Sequence, residues 1–372
     1  MKKLTGIVNY PFDAQNDSFF CAISSALLPV LGYREETPYW CAQQGKHCVH
    51  CGGCHKTVLQ NHGLMLYHCL LTATGTAFCF DYPEDDEVSG HTLPGVDKGW
   101  RWDDGFIGYI MNLCGCAWRR PDPAEDRERI LEDIKASIDR GFPVPVRLGG
   151  RFLFGPDTAW SVVTGYDGDS LRGIDSYQHY LSGFARYDGD EFILEDWHSS
   201  YRDGIIITGT KAPAVSFGDV LARMIQTLSN PAREGFRREV FGLIDDADAE
   251  NAQFHASVLC MMAGVPVEAR WHAAEAFCSR DNLLYRLHND AAMGERLSRL
   301  FFTRYIQADN DETHGICWKI WSLLDCGPQT GYRAGPEGGR NLLGNRAELR
   351  RLWQTVFDND LAVLEGLREL GG

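Results

Sequence analysis

Hydrophobic and polar residues alternate along the chain with two different periods. In 105–114 and 122–140, apolar residues recur every three or four positions, which predicts two helices. Short apolar runs separated by turns then predict strands of an antiparallel sheet, at 144–148, 160–166, 171–175, 191–197 and 204–208. This order of elements predicts an α+β domain in the first part of the chain.

The second part of the chain follows the helical period alone. Amphipathic segments begin near Ser216, and the last one, from Arg346 to Leu370, carries one broad apolar face. Its members are Leu349, Leu352, Trp353, Val356, Phe357, Leu361, Leu364 and Leu367. We predict two domains, 1–212 and an all-α domain 213–372, with the glycine-rich segment 327–344 as a flexible linker.

A candidate nucleophile opens the first apolar helical run. Cys21 begins this run, and the positive end of a helix dipole favours a thiolate there. Gln15, six residues earlier, could aim an N–H at an oxyanion. A cysteine on a buried helix is also a common core residue, so Cys21 alone proves no chemistry.

Downstream motifs add to this pattern. The segment Gly141-Phe-Pro-Val-Pro-Val precedes the strand Val162-Val-Thr-Gly-Tyr-Asp167, and Asp175 ends the next strand. Over residues 1–210, the order of these motifs resembles the papain-like, C39-like cysteine peptidase fold. It is closest to the N-terminal domain of the butirosin-biosynthesis H family, which includes acyltransferases. The segment 66–81 is similar to that family's small-residue loop. The resemblance implies Cys21 as nucleophile, Gln15 as oxyanion donor and Asp175 as the residue that orients a base.

The sequence departs from this family at the base itself. The family's strand begins with histidine, where this chain has Ala159 and Trp160. Two histidines could replace it from strand ends: His179, four residues after Asp175, and His198 after the strand that starts at Glu191.

A cysteine-rich insertion occupies about residues 38–64. Cys48, Cys51 and Cys54 follow one another at two-residue spacing, with Cys41 seven residues before the first. Such spacing lets thiolates in a tight turn face one centre, and we back these residues, with His55, as zinc ligands. An iron–sulfur cluster is the weaker alternative, because Val58 stands where its fourth cysteine would be. A loop of unligated thiols is the third alternative.

Composition limits the other classes of function. The chain has 372 residues, 13 cysteines and a net charge of −15, which argues against nucleic-acid binding and basic membrane attachment. It has no apolar run of membrane-spanning length and no leader-like start, so we expect a cytoplasmic protein with reduced thiols. No motif predicts an organic cofactor. The sequence is compatible with a homo-oligomer and does not specify the oligomeric state.

Two functions follow from these observations. The first is a cysteine-dependent acyl-transfer enzyme or amidohydrolase, with Cys21 attacking a small-molecule, carrier-bound acyl or peptide-like substrate. The second is a catalytically inactive papain-like protein that binds a small ligand or peptide, with a structural zinc site as an added feature. The first requires His179 or His198 to replace the missing strand histidine. Without such a substitute the second is favoured, because loss of a base reduces acyl transfer by orders of magnitude.

Overall fold

We describe the protein from a computed structural model of the chain. The structure describes residues 1–8, 18–41, 46–48, 50–51, 56–79, 102–149, 158–175, 181, 184–264, 266–288, 290–306, 313–326 and 333–371. For a few of these, Cys48 and Cys51 among them, the description covers the backbone alone. The predictions for Gln15, His179, Cys54 and His55 therefore concern residues outside the described part of the chain.

The described chain contains both helices and strands, as the sequence predicts. The strands are β1 Lys2–Lys3, β2 Tyr39–Cys41, β3 Lys46–Cys48, β4 His50–Cys51, β5 Lys56–Thr57, β6 Cys116–Arg119, β7 Val144–Gly149, β8 Thr158–Asp167, β9 Ser170–Asp175, β10 Arg186–Asp188, β11 Glu191–Leu194, β12 Tyr201–Gly204 and β13 Ile206–Thr210. The helices are α1 Ser18–Val30, α2 Val58–Ala73, α3 Asp104–Leu113, α4 Arg127–Asp139, α5 Trp197–Ser200, α6 Phe217–Leu228, α7 Ala232–Asp245, α8 Ala252–Gly264, α9 Pro266–Ala276, α10 Leu283–His288, α11 Ala291–Phe301, α12 Thr313–Leu323, α13 Gly338–Gly344 and α14 Arg346–Gly371.

The chain divides into two compact units. The first comprises Met1–Leu70, Glu87–Ser216 and Ser279–His288, and the second comprises Leu71–Asp86, Phe217–Cys278 and Asn289–Gly372. Each unit therefore includes a segment that the sequence alone assigns to the other part of the chain. Among the described residues, no helix has both the length and the apolar character that a membrane span requires.

An antiparallel sheet forms the centre of the first unit. Its strands lie in the order β10-β11-β9-β8-β7-β12, and β1 pairs with β8. Every pairing in this sheet is antiparallel, which confirms the sequence prediction. The apolar side of α4, with Ile130, Ile134 and Ile138, packs on one face of the sheet in a buried cluster.

Several predicted boundaries are wrong for identifiable reasons. The strand predicted to reach Trp197 ends at Leu194, because the exposed pair Glu195 and Asp196 interrupts it and Trp197 begins α5. The strand predicted at 204–208 is two strands, β12 and β13, which pair with β7 and β6 respectively. Within the segment 66–81, predicted as a small-residue loop, residues 66–73 are instead the second half of α2.

The second unit is helical, and α14 supplies much of its core. Seven of the eight predicted stripe residues are buried, whereas Leu361 is 40% exposed and lies outside the stripe. Arg270 and Asp360, both fully buried, form an ion pair at 3.1 Å, and the Tyr305 hydroxyl donates to the same carboxylate at 2.9 Å. Arg270 also donates to the Ala77 carbonyl at 2.7 Å, so its charge is shared among several buried acceptors.

The glycine-rich segment predicted as a linker is partly helical. Gly338 and Gly339 open α13 and are buried against α8. A Cβ at Gly338 would lie 2.7 Å from the Leu324 carbonyl oxygen, and one at Gly339 would lie 2.7 Å from the Gln253 nitrogen. These two glycines therefore permit close packing of α13. The many glycines of the segment 327–344 had predicted a flexible linker instead.

Candidate functional site

Cys21 lies on α1, within the buried interior of the first unit. The helix begins at Ser18, so Cys21 is its fourth residue, and its side chain is 1% exposed. The neighbouring residues fix α1 against the sheet: the Ser18 hydroxyl accepts a hydrogen bond from the Trp160 amide at 3.3 Å. Because residues three apart share one side of a helix, Cys21 lies on the same side of α1 as Ser18.

Trp160 occupies one of the two positions where the family resemblance expects the histidine base. Its indole is fully buried and meets the Phe19 ring edge-on at 5.2 Å between centroids. Trp102 completes an aromatic cluster, 5.5 Å from Phe19 and 6.0 Å from Trp160. The base position that faces α1 is therefore occupied by the Trp160 indole, which packs against other aromatic rings.

The other base position faces the opposite side of the sheet. Ala159 and Val163 pack in the buried cluster that includes α4, whereas Trp160 packs on Phe19 of α1. Side chains alternate along a strand, so α1 and α4 cover opposite faces of β8. We call these the α1 face and the α4 face.

Asp175 belongs to the α4 face. It pairs with Ser161 across β8 and β9, and the Ser161 hydroxyl lies 3.5 Å from its carboxylate. Tyr187 donates its hydroxyl to the same carboxylate, while that hydroxyl accepts from the Leu181 amide at 2.9 Å. Burial, and then the charge of Asp175, raise the pKa of Tyr187 well above its usual range. Tyr187 is thus a neutral donor to a buried carboxylate.

His198 also lies on the α4 face. The connection from β11 to β12 must cross β9, β8 and β7, and the crossing segment contains α5. Trp197 of α5 belongs to the buried cluster with α4, and the His198 ring lies 5.5 Å from the Trp197 ring. The sheet therefore separates His198 from α1.

The structure does not bring the described catalytic candidates together. Cys21 is on the helix that covers the α1 face, whereas Asp175 and His198 are on the α4 face. Ser161 and Tyr187, which sequence reasoning missed, contact Asp175. The sequence signal that could have revealed this was the two-residue alternation of a strand. Trp160 and Ser161 are neighbours on β8, so their side chains lie on opposite faces, and Asp175 shares the face of its pairing partner Ser161.

The cysteine-rich insertion forms two short hairpins in the first unit. In the first, β2 pairs with β3, and the register sets Tyr39 opposite Cys48 and Cys41 opposite Lys46. In the second, β4 pairs with β5, and Cys51 lies opposite Lys56. Within the described residues, no three His, Cys, Asp or Glu side chains form a metal site, and that set includes Cys41 alone of the five predicted ligands.

Aromatic and charged groups surround these hairpins. Arg280 lies over the Trp40 ring at 4.8 Å, and the Trp40 amide donates to the Asp281 carboxylate at 2.5 Å. His62, on α2, contacts the Tyr33 ring at 4.7 Å between centroids. Burial lowers the pKa of His62 to about 4, so its imidazole is neutral at physiological pH.

Comparisons of the chain with protein-family models, with curated proteins and with solved structures find no match. The papain-like resemblance therefore rests on the sequence motifs described above.

Proposed function

We propose that this chain is a binding protein on a papain-like scaffold, one that holds a small ligand or peptide and does not assemble a cysteine–histidine relay. The observation that supports this proposal is the placement of Cys21 on the α1 side of the sheet and of Asp175 and His198 on the other side.

This separation matters because proton transfer is short-ranged. A general base must come within about 3 Å of the thiol, directly or through one water. A sheet that carries packed side chains on both faces holds groups on opposite faces much further apart than that. His198 therefore cannot serve Cys21 without a rearrangement of α5.

Asp175 is held by groups of its own face of the sheet. Its carboxylate accepts from the hydroxyls of Ser161 and Tyr187. Its partners are anchored by the strand register and by the Leu181 amide, so this arrangement is part of the packed interior of the unit.

Acyl transfer through Cys21 is the second candidate function. The observation in its favour is the position of Cys21 as the fourth residue of α1, near the positive end of the helix. This mechanism requires a base on the α1 face. His179 and Gln15, which the sequence nominates, lie outside the described residues.

One experiment separates the two functions. The full chain is purified without harsh washing and examined by native and denaturing mass spectrometry, together with Cys21→Ala and the matched variant Cys69→Ala. Cys69 is also a fully buried helical thiol, and burial raises its pKa to about 12. Hydrolysis of p-nitrophenyl acetate and of an acetyl thioester is measured on the same samples.

The binding function predicts a non-covalent ligand that survives Cys21→Ala and dissociates on denaturation. It also predicts ester hydrolysis no faster than that of Cys21→Ala. An acyl adduct on Cys21, or turnover that disappears in Cys21→Ala and persists in Cys69→Ala, would establish the enzyme and refute our proposal.

A further inference from the structure

The imidazole of His62 is buried in the first unit without a hydrogen-bond partner. Its side chain is 0% exposed, and neither Nδ1 nor Nε2 has a partner among the described residues. Buried polar groups are normally hydrogen-bonded, because an unpaired one keeps the full cost of leaving water. A charged ring in the same place would lose far more hydration, so the site accepts His62 in its neutral form.

Two aromatic rings enclose His62. It is the fifth residue of α2, and its ring lies 4.7 Å from the Tyr33 ring and 5.5 Å from the Tyr39 ring on β2. Tyr33 is buried, and its hydroxyl donates to the Asp281 carbonyl at 2.6 Å. Tyr39, by contrast, is only partly buried and belongs to a strand of three residues. The side of His62 that β2 covers is therefore the less firmly held side.

Two charged residues of the first unit act on His62. Asp281 favours the imidazolium and Arg286 disfavours it, but burial outweighs both and lowers the pKa of His62 to about 4. Tyr33 adds no charge, because burial raises its pKa above the usual range. Apart from His62, residues 58–66 of α2 carry no ionisable side chain. The surroundings therefore provide no free countercharge unless Asp281 moves.

The Asp281 carboxylate is already engaged by β2. It accepts from the Trp40 amide at 2.5 Å, and the His47 Nδ1 lies 3.9 Å from it. The guanidinium of Arg280 lies 4.8 Å from the Trp40 ring. A protonated His62 can regain solvation by meeting water past β2, or it can draw Asp281 away from Trp40. Both responses loosen β2.

We propose that protonation of His62 releases β2 from α2, so that the β2–β3 hairpin is held at neutral pH and freed in acid. One proton passes from solvent to an imidazole nitrogen, and no other covalent bond forms or breaks. The direction follows from linkage. Since burial lowers the pKa of His62 from its usual 6.5, the closed state binds fewer protons than the open state. The stability of the contact is therefore complete above about pH 6.5 and declines as pH falls toward about 4.

The size of the effect follows from the two pKa values. A histidine with a pKa of 6.5 when released and about 4 when buried makes release roughly 20-fold more favourable at pH 5 than at pH 7. His62→Phe keeps an aromatic ring and cannot bind a proton, so it should abolish this factor. The device involves neither Cys21 nor a bound ligand, and it does not rest on the proposed binding function.

Hydrogen exchange of the full chain tests the release of β2 directly. Peptides covering 39–48 and 158–167 are followed by mass spectrometry between about pH 7 and pH 5, with a chelator present to exclude any effect of bound metal. Wild type is compared with His62→Phe and with His47→Ala. His47 is the matched control, because it lies on the same hairpin and its side chain is 54% exposed.

Each observed exchange rate is divided by the intrinsic rate at the same pH, which gives a protection factor. The measurement is repeated at several urea concentrations below the unfolding transition. Urea distinguishes the two kinds of opening, because local release exposes little surface and unfolding of the unit exposes much more.

In wild type, the protection of the 39–48 peptide should fall about 20-fold between pH 7 and pH 5 and should not depend on urea. The 158–167 peptide, which covers β8, should keep the urea dependence of unfolding. His47→Ala should stay within about twofold of wild type, since an exposed ion pair contributes little. In His62→Phe, the protection of the 39–48 peptide should change by less than about threefold.

Three results would overturn the proposal. The first is unchanged protection of the 39–48 peptide in wild type over this pH range, and the second is an equal loss in folded His62→Phe. The third is exchange of this peptide that depends on urea as steeply as that of β8, which would mean that β2 leaves α2 only when the whole unit unfolds. If His62→Phe does not fold, His62→Leu takes its place, and the wild-type measurements decide on their own.

Discussion

Two adjacent residues of β8 have opposite surroundings, and the difference explains why the sequence motifs do not form one site. Trp160 points to α1 and is enclosed by Phe19 and Trp102. Ser161 points to the α4 face, where its hydroxyl lies near Asp175. One face is an apolar aromatic cluster, while the other contains a buried carboxylate with hydroxyl donors. Sequence proximity therefore gives no guarantee of a shared site, because one step along a strand changes the face.

The largest effect should come from removing the aromatic side of this comparison. Trp160→Ala deletes a fully buried indole between α1 and β8, and we expect a loss of about 3–5 kcal/mol in the free energy of unfolding. Urea denaturation followed by circular dichroism measures it. A loss below about 1 kcal/mol would mean that the cluster contributes little to holding α1 on the sheet.

Changing the carboxylate on the other face should have a smaller effect. Asp175→Asn weakens the acceptor for Tyr187 and Ser161, and we expect a loss of about 1–3 kcal/mol in unfolding free energy. Asp188→Asn is the control, since Asp188 is an exposed residue at the end of β10. Ligand binding should persist in folded Asp175→Asn. A variant of unchanged stability that loses function would instead assign Asp175 a catalytic or binding role.

The α1 face can also be tested by restoring an imidazole. In Trp160→His, the new side chain would lie on the side of β8 that faces Ser18 and Cys21. An imidazolium near a thiol stabilises the thiolate, so alkylation of Cys21 at about pH 6 should be at least about tenfold faster than in Trp160→Phe.

Peptide mass spectrometry after iodoacetamide treatment resolves Cys21 from the other thiols in this experiment. Trp160→Phe is the matched control, because it removes the indole without supplying a base. Equal rates in the two variants would show that position 160 does not reach the thiol.

The helices and strands of the first unit were largely predictable because each follows a simple period. The strand 171–175 was predicted one residue short of β9, and the helix 105–114 within one residue of α3. The path of residues 195–200 was not predictable. Whether a strand continues or the chain crosses a sheet face depends on which strands pair at distant edges, and pairing order leaves no local pattern.

The candidate site was predictable in its residue types and not in its geometry. Spacing drew attention to Cys48, Cys51 and Cys54, but the strands of the insertion are only two or three residues long. Strands so short show no alternation in the sequence, so the pairing of Tyr39 with Cys48 and of Cys41 with Lys46 emerges only from the register. Gly338 and Gly339 illustrate the same limit, since close packing and flexibility both favour glycine.

The smallest effect should come from the hydroxyl that Tyr187 donates to Asp175. Tyr187→Phe removes this donor while preserving the ring, and we expect a loss of about 1 kcal/mol in unfolding free energy at neutral pH. Because the folded pKa of Tyr187 is raised, its contribution is complete below the unfolded value of about 10 and declines as pH rises above it. The stability difference between wild type and Tyr187→Phe should therefore shrink between about pH 9 and pH 11. Urea denaturation at several pH values measures this difference, and a difference that stays constant would show that folding does not raise the pKa of Tyr187, which would contradict its burial beside the Asp175 carboxylate.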